Sequence, residues 1–381
     1  MIPEILKNGA KVYTEINSAL NFAAAEIFIK GGSRYEKGEC SGISYLIDAL
    51  VAANTDSEVN GTDVTTYKEF SVYKIAASPP DYKKSVDALF NAMNPENWKN
   101  NFNEEKKQML ERIQEKDSYD ADGYFESLIF RGQGLGNPVC GEYAAAEKIT
   151  FDMAAGRLNF TGENMFAVIS GNVTDEDVLH TKELISSFPR GRSKTDGKTV
   201  TSGGVYVVSD SEKTIDLKIA ADLGNIKRTD ASVLAGIIGN RIKDSVVTAH
   251  TFTDAALLKI EFSISIEFLA KTVKGVFSEL RKRVSQEELA RALKEKERYF
   301  ESLKEFPGEF NSEFGWEIAL ESDPCMSVGE KLNALKGITC RNINRYMDKF
   351  FEPGNISVLL FGDVKKADVD FIDKCVKNVV N

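Results

Sequence analysis

Histidine is almost absent from this 381-residue chain, which has only His180 and His250, 70 residues apart. No helix of the sequence can therefore present two imidazoles one turn apart, the arrangement that hydrolytic zinc sites use most simply. The five cysteines are an odd number with no C-x-x-C pair. That argues against a disulfide framework or a structural zinc ribbon and fits a reducing compartment. Positive charge is also in deficit: 48 Lys and Arg stand against 58 Asp and Glu, a formal net charge of −10. A general nucleic-acid binder needs a basic face, so none is expected as a partner. No apolar run approaches the ~18 residues of a membrane span, so the chain is not expected to be an integral membrane protein. The opening MIPEILKNGAKVYTE reads at once as strand and turn, with neither a secretory core nor an Arg/Ser-rich leader.

Hydrophobic residues make up 42% and charged residues 28%, the composition of a globular protein with sizeable cores. The most informative pattern is an internal repeat. Met165–Val178 (MFAVISGNVTDEDV) and Ile356–Val369 (ISVLLFGDVKKADV) each read as apolar strand, glycine turn and helix start, and Gly171 and Gly362 correspond at an offset of 191 residues. Asn172 and Asp363 favour the turn and are candidate caps for the helices that follow. Between the halves, FPRGRSKTDGKTVTSGG (188–204) is rich in Gly, Ser, Thr and Lys and reads as a linker. The expected division is a domain over 1–190, a linker over 191–204 and a second domain over 205–381. Ala23–Gly32 reads as a buried strand ending in a Gly-Gly turn. Val86, Leu89, Phe90 and Met93 mark an amphipathic helix stopped by Pro95, and charged helices are expected over 103–116 and 285–303. Strands are expected near 215–221 and 257–265. Strands and helices mix without strict alternation, so the fold class is α+β. The GQGLG stretch at 132–136 follows a helical run rather than a strand and reads as a loop, not a dinucleotide site. His180 and His250 read as surface or boundary residues.

Five segments in order, together with the half-chain repeat, resemble the M16 (pitrilysin-type) metallopeptidase family, in its branch of mitochondrial processing peptidase and cytochrome bc1 core subunits. GGSRYEKGECSGISYLIDAL (31–50) resembles the turn and helix that carry H-x-x-E-H in that family. EKKQMLERIQE (105–115) resembles the helix with the third zinc ligand. LGNPVCGEYAAAEKI (135–149) resembles a loop and helix that follow, 160–173 a later strand, Ser285–Lys294 a helix of the second half, and the half-chain repeat completes the set. The resemblance implies two homologous α+β domains, each a mainly antiparallel sheet flanked by helices, packing as half of a hollow shell completed by a second M16-type subunit, in a heterodimer or homodimer.

In the family, two histidines and a later Glu hold zinc, and a Glu between the histidines is the general base. The correspondence puts Tyr45 and Ala49 at the histidine positions, Asp48 at the base and Arg112 at the third ligand, with Glu111 one residue too early. Ala49 has no donor atom and Arg112 is a fixed cation, so no metal, no other cofactor and no catalytic residue are expected. Two readings of the remainder stay open. Tyr45 could fill the vacated volume and find a partner for its hydroxyl, or Asp48 could pair with Arg112 across the helices. The substrate-holding Arg/Tyr stretch after Arg241 has no Tyr, and the glycine loop expected near 235–240 retains only Gly236 and Gly239.

The implied function is a catalytically inactive subunit of a mitochondrial-type processing peptidase, completing a chamber for basic presequences with a partner, in the matrix of a mitochondrion or derived organelle. One alternative is a structural core-type subunit of a respiratory complex. The other is an active zinc endopeptidase with non-standard ligands.

Overall fold

The computed structural model describes residues 1–55, 61–115, 121–156, 159–192, 194, 197–209, 214–352 and 354–380. Parts of the expected linker, 193, 195 and 196, lie outside the described residues. Two compact units emerge. The first comprises Met1–Ser127, Gly132–Gly197 and Ser302–Ser327; the second comprises Leu128–Arg131, Lys198–Glu301 and Val328–Asn381. The chain passes from one to the other between Gly197 and Lys198, and each unit also takes in a short segment from the other half of the sequence.

The first unit is built on a six-stranded sheet of order β1-β2-β6-β3-β5-β4, made by β1 (Glu4–Ile5), β2 (Lys11–Ile16), β3 (Ala23–Lys30), β4 (Thr62–Thr66), β5 (Phe70–Ala77) and β6 (Met165–Gly171). Only β2 and β6 run parallel. The helices of this half of the sequence are α1 (Ile43–Asn54), α2 (Tyr82–Ala92), α3 (Phe102–Gln114), α4 (Ala121–Ile129), α5 (Tyr143–Ala146), α6 (Phe151–Gly156) and α7 (Asp175–Ser186). Strand β3 explains the two-sided burial its AAAEIFIK sequence suggests. Ala23, Ala25, Ile27 and Ile29 join the core formed with Leu46, Leu50, Val86, Leu89 and Ile185 of α1, α2 and α7. Phe28 faces the other way, toward Leu320 and Trp316.

The second unit holds a five-stranded sheet of order β7-β11-β8-β10-β9, with β7 (Gly204–Ser209), β8 (Thr214–Asp222), β9 (Val246–Thr251), β10 (Ala256–Ser265) and β11 (Ile356–Gly362). Its order reproduces β2-β6-β3-β5-β4 strand for strand, and again one pair, β7 and β11, is parallel. The repeat found in sequence is thus a topological one. Both glycines that end the repeated strands have positive φ, 92° at Gly171 and 136° at Gly362, where a side chain would be strained. The cap of α7 is Thr174, in a reciprocal capping box with Asp177. Asn172, the residue expected there, instead donates to the Leu20 carbonyl.

The remaining helices are α8 (Arg228–Arg241), α9 (Leu269–Arg281), α10 (Gln286–Ser302), α11 (Pro307–Leu320), α12 (Val328–Lys336), α13 (Cys340–Lys349) and α14 (Lys366–Val380). Although α11 lies late in the sequence, it belongs to the first unit and covers the Phe28 face of the sheet. Gly315 permits this approach, since a Cβ there would lie 2.2 Å from the Phe28 ring. The stretch 235–240, where too few glycines remain for a substrate-gripping loop, is the last part of α8. No helix among the described residues is long and apolar enough to cross a membrane.

Candidate functional site

The site is assembled by the turn that follows β3. Gly32 has φ 75°, and a Cβ there would strike the Tyr67 carbonyl at 2.2 Å, so the turn requires glycine. Arg34, 8% exposed, donates from Nη1 to Glu69 Oε1 at 2.6 Å and from Nη2 to the Gly197 carbonyl at 2.8 Å. Burial makes such a pair a constraint on geometry more than a source of net stability. Glu36 then accepts from the backbone N–H of Gly42 at 2.6 Å and of Ser44 at 2.8 Å. A carboxylate on these orphan donors satisfies the first turn of α1 and suits the positive end of its dipole. Asn137 locks the same turn from the opposite loop, donating to the carbonyls of Ser33 at 2.8 Å and Glu36 at 3.2 Å. Two of the segments matched in sequence, 31–50 and 135–149, are therefore physically one structure.

Gly42, φ 87°, brings three segments together. A Cβ there would lie 2.3 Å from Met109 Cε of α3 and 2.5 Å from the Cys140 carbonyl. Helix α3 thus presents Met109, and one turn later Arg112, toward α1. Glu111 points elsewhere: it pairs with Lys107 at 3.6 Å on an exposed stretch, its side chain 54% accessible. Both residues are exposed, and of the two it is Arg112 that reaches α1.

The four positions singled out by the resemblance divide into two groups. Tyr45 and Ala49 lie one turn apart on the half-buried side of α1. Arg112 Nη1 donates to Tyr45 Oη at 3.0 Å, with the guanidinium 5.7 Å from the ring centroid. This is the partner that the Tyr45 reading anticipated. The alternative pairing of Asp48 with Arg112 is not formed. Asp48, 3% exposed, turns toward the sheet, where Oδ2 accepts from Thr66 at 2.7 Å and Ser71 at 2.5 Å, and Oδ1 from Tyr73 at 2.5 Å. Asp48 sits on a different side of α1 from Tyr45 and is consumed by hydroxyl donors that the sheet supplies.

Electrostatics follow from this division. Burial pushes the Asp48 carboxyl up to about 6, against the lowering effect of the hydrogen bonds from Ser71, Tyr73 and Thr66, while Glu36 adds to the rise. The Tyr73 hydroxyl is raised well above its ordinary value by burial and then by Asp48. Burial, followed by the neighbouring Cys140, raises Tyr45, and Arg112 only partly offsets this. Tyr45 therefore remains a protonated phenol at neutral pH.

A zinc ion does not fit this donor set. Ala49 offers a methyl group, both Asp48 oxygens are engaged by Thr66, Ser71 and Tyr73, and Arg112 brings a permanent positive charge. Among the described residues, no group of three or more His, Cys, Asp or Glu side chains is arranged to hold a metal ion. The two histidines lie elsewhere. His180 of α7 contacts Asp87 of α2 at 2.6 Å on the surface, and His250 of β9 stands opposite Leu257. Arg241, where a substrate-holding Arg was sought, is committed to structure. It grips Glu288 through Nε at 2.6 Å and Nη2 at 2.9 Å, and donates to the carbonyls of Glu279, Lys282 and Arg283.

Comparison with known proteins places this arrangement. Residues 11–142 match the family described as insulinase (peptidase family M16). A protein of Rickettsia bellii named "uncharacterized zinc protease" is 23% identical over 331 residues, covering 75% of this chain and 80% of that protein. Among solved structures, the peptidase M16 inactive domain from Pseudomonas fluorescens superposes with a TM-score of 0.81 at 13% identity, covering 96% of this chain and 98% of that one. A chain of complex III2 from Candida albicans gives 0.78 at 16% identity, covering 97% and 99%. The periplasmic protease PqqL from Escherichia coli gives 0.75 at 13% identity, covering all of this chain but 50% of that one. Residues 11–142 thus match a peptidase M16 (insulinase) family domain, and the fold of the whole chain, two mixed sheets flanked by helices, is like that of the solved M16 structures.

Proposed function

We propose that this chain is a non-catalytic M16-type subunit that completes a peptide-binding chamber together with a second M16-type chain. The observation that carries the reading is the Arg112–Tyr45 hydrogen bond, which joins a guanidinium and a phenol at two positions that the sequence resemblance assigns to metal ligands. Likeness to an M16 domain described as inactive agrees with it, and so does the match to one half of PqqL, a chain twice as long in which this fold accounts for half the length. The substrate context we infer is that of a mitochondrial-type processing peptidase, in a mitochondrion or derived organelle. The net charge of −10 suits basic presequence peptides there.

Affinity purification of the tagged chain from its own cells tests this reading. The expected result is a stable complex with a second M16-type chain that retains H-x-x-E-H, and presequence cleavage that belongs to the complex and not to this chain alone. Cleavage by the isolated chain would refute it. The similarity to a chain of complex III2 favours one other reading, a structural core-type subunit of a respiratory complex. That reading predicts co-purification with membrane subunits and no presequence cleavage by the complex.

A further inference from the structure

The altered site is not electrically empty. Arg112 lies on the exposed side of α3, and among the described residues it forms no ion pair; its one hydrogen-bond partner is the neutral Tyr45. Only one of its N–H groups is used in that bond, and a guanidinium has five in a fixed fork. Tyr45 accepts from Arg112, so its own O–H is left to donate. The ring of Tyr45 and its contact at 5.7 Å hold the guanidinium against α1 and limit the rotamers it would otherwise explore. Ala49, one turn after Tyr45 on the same side of α1, adds no side chain beyond Cβ.

We infer that the Arg112 fork and the Tyr45 hydroxyl together receive a carboxylate of a bound peptide, either its free C-terminus or an Asp or Glu side chain. A planar carboxylate matches the fork geometry of Arg and can accept from the phenol at the same time. The Arg112 position then attracts a carboxylate, a group that a basic peptide also carries at its free C-terminus. Glu105, two turns earlier on α3 and near enough to act on Tyr45, sets the negative limit of the site and orients the ligand's charge toward Arg112. The inference rests on the non-catalytic reading above, because a peptide held at this position must remain intact.

The test uses the full chain and three fluorescently labelled peptides of one neutral sequence, with a free C-terminus, with a C-terminal amide, and with the amide plus one internal Glu. Anisotropy titrations at low salt measure binding, and mass spectrometry of each mixture reports whether the peptide survives. At least one carboxylate-bearing peptide is expected to bind about five- to tenfold more tightly than the plain amide, as charge-assisted hydrogen bonds would give. Which of the two does so identifies the source of the carboxylate. Arg112→Gln should erase the preference, Arg112→Lys should keep part of it, and Tyr45→Phe should reduce it about threefold. Circular dichroism of each variant checks that the fold is kept. Equal binding of all three peptides, no binding, or a preference that survives Arg112→Gln would overturn the inference. Cleaved peptide would instead overturn the non-catalytic reading on which it rests.

Discussion

Replacing Asp48 by Asn should change how the first unit responds to pH, and the direction can be worked out from the site. In the unfolded chain this carboxyl titrates near 3.8, whereas burial on α1 raises it to about 6 in the folded protein. As pH rises through that interval the unfolded chain loses its proton first, so folding becomes less favourable. Above about 6 both states are ionised and the penalty is constant. The gap corresponds to about 3 kcal/mol at 1.36 kcal/mol per pH unit. The stability contributed by the neutral acid is thus fully present below pH 4 and is lost as pH climbs to about 6. Asparagine cannot ionise, and its amide can still bond to the hydroxyls of Thr66, Ser71 and Tyr73 after they rotate. Asp48→Asn should therefore be near neutral or mildly destabilising at pH 4, and should gain about 3 kcal/mol relative to the native protein by pH 7.5. Both tryptophans of the chain, Trp98 and Trp316, lie in the first unit, so urea unfolding followed by tryptophan fluorescence reports on it. A difference between variant and native protein that does not change with pH would refute the reasoning. So would one that turns against the variant at pH 7.5, for then the three hydroxyls would more than compensate the buried charge.

Other perturbations test how the site is held. Arg34→Met or Glu69→Gln alone leaves one member of a pair whose side chains are 5% and 3% exposed, and each should cost about 3–5 kcal/mol. The double variant should cost much less than the sum, a coupling readable in a double-mutant cycle of urea midpoints. Gly42→Ala should destabilise the first unit by more than about 1 kcal/mol, since the backbone is left-handed there. Met109 could swing aside, but the Cys140 carbonyl at 2.5 Å is backbone, so Met109→Ala should not rescue the variant in the same assay.

Much of this was legible in the sequence because it is local or periodic. The 191-residue repeat marked β6 and β11, and the strand order shows that the correspondence extends across both sheets. The spacing of Tyr45 and Ala49 fixed their shared side of α1, and of the exposed neighbours Glu111 and Arg112 it is Arg112 that bonds to Tyr45. The partner of Asp48 could not be read in this way. Ser71 and Tyr73 alternate on β5 and Thr66 ends β4, but nothing in their spacing says that their hydroxyls converge on a carboxyl 18 to 25 positions earlier. Opposite charge suggested Arg112 instead, and the rotation of α1 between its two faces decided otherwise. The placement of α11 with the first unit was equally hidden, because packing between distant segments leaves no periodic trace. The loss of a glycine loop near Gly236 and Gly239 was legible, but not that the segment is helical: Val233, Leu234, Ile237 and Ile238 are buried along α8, and tertiary burial outweighed the weak helix propensity of glycine.

The central claim is that a guanidinium and a phenol have replaced the zinc ligands. It is tested most directly by the metal content of the purified chain after dialysis against excess zinc and then against metal-free buffer. The account predicts well under 0.1 zinc per chain, as a site with no three-ligand donor set should give. Retention of about one zinc per chain, lost on chelation together with any peptidase activity, would contradict it.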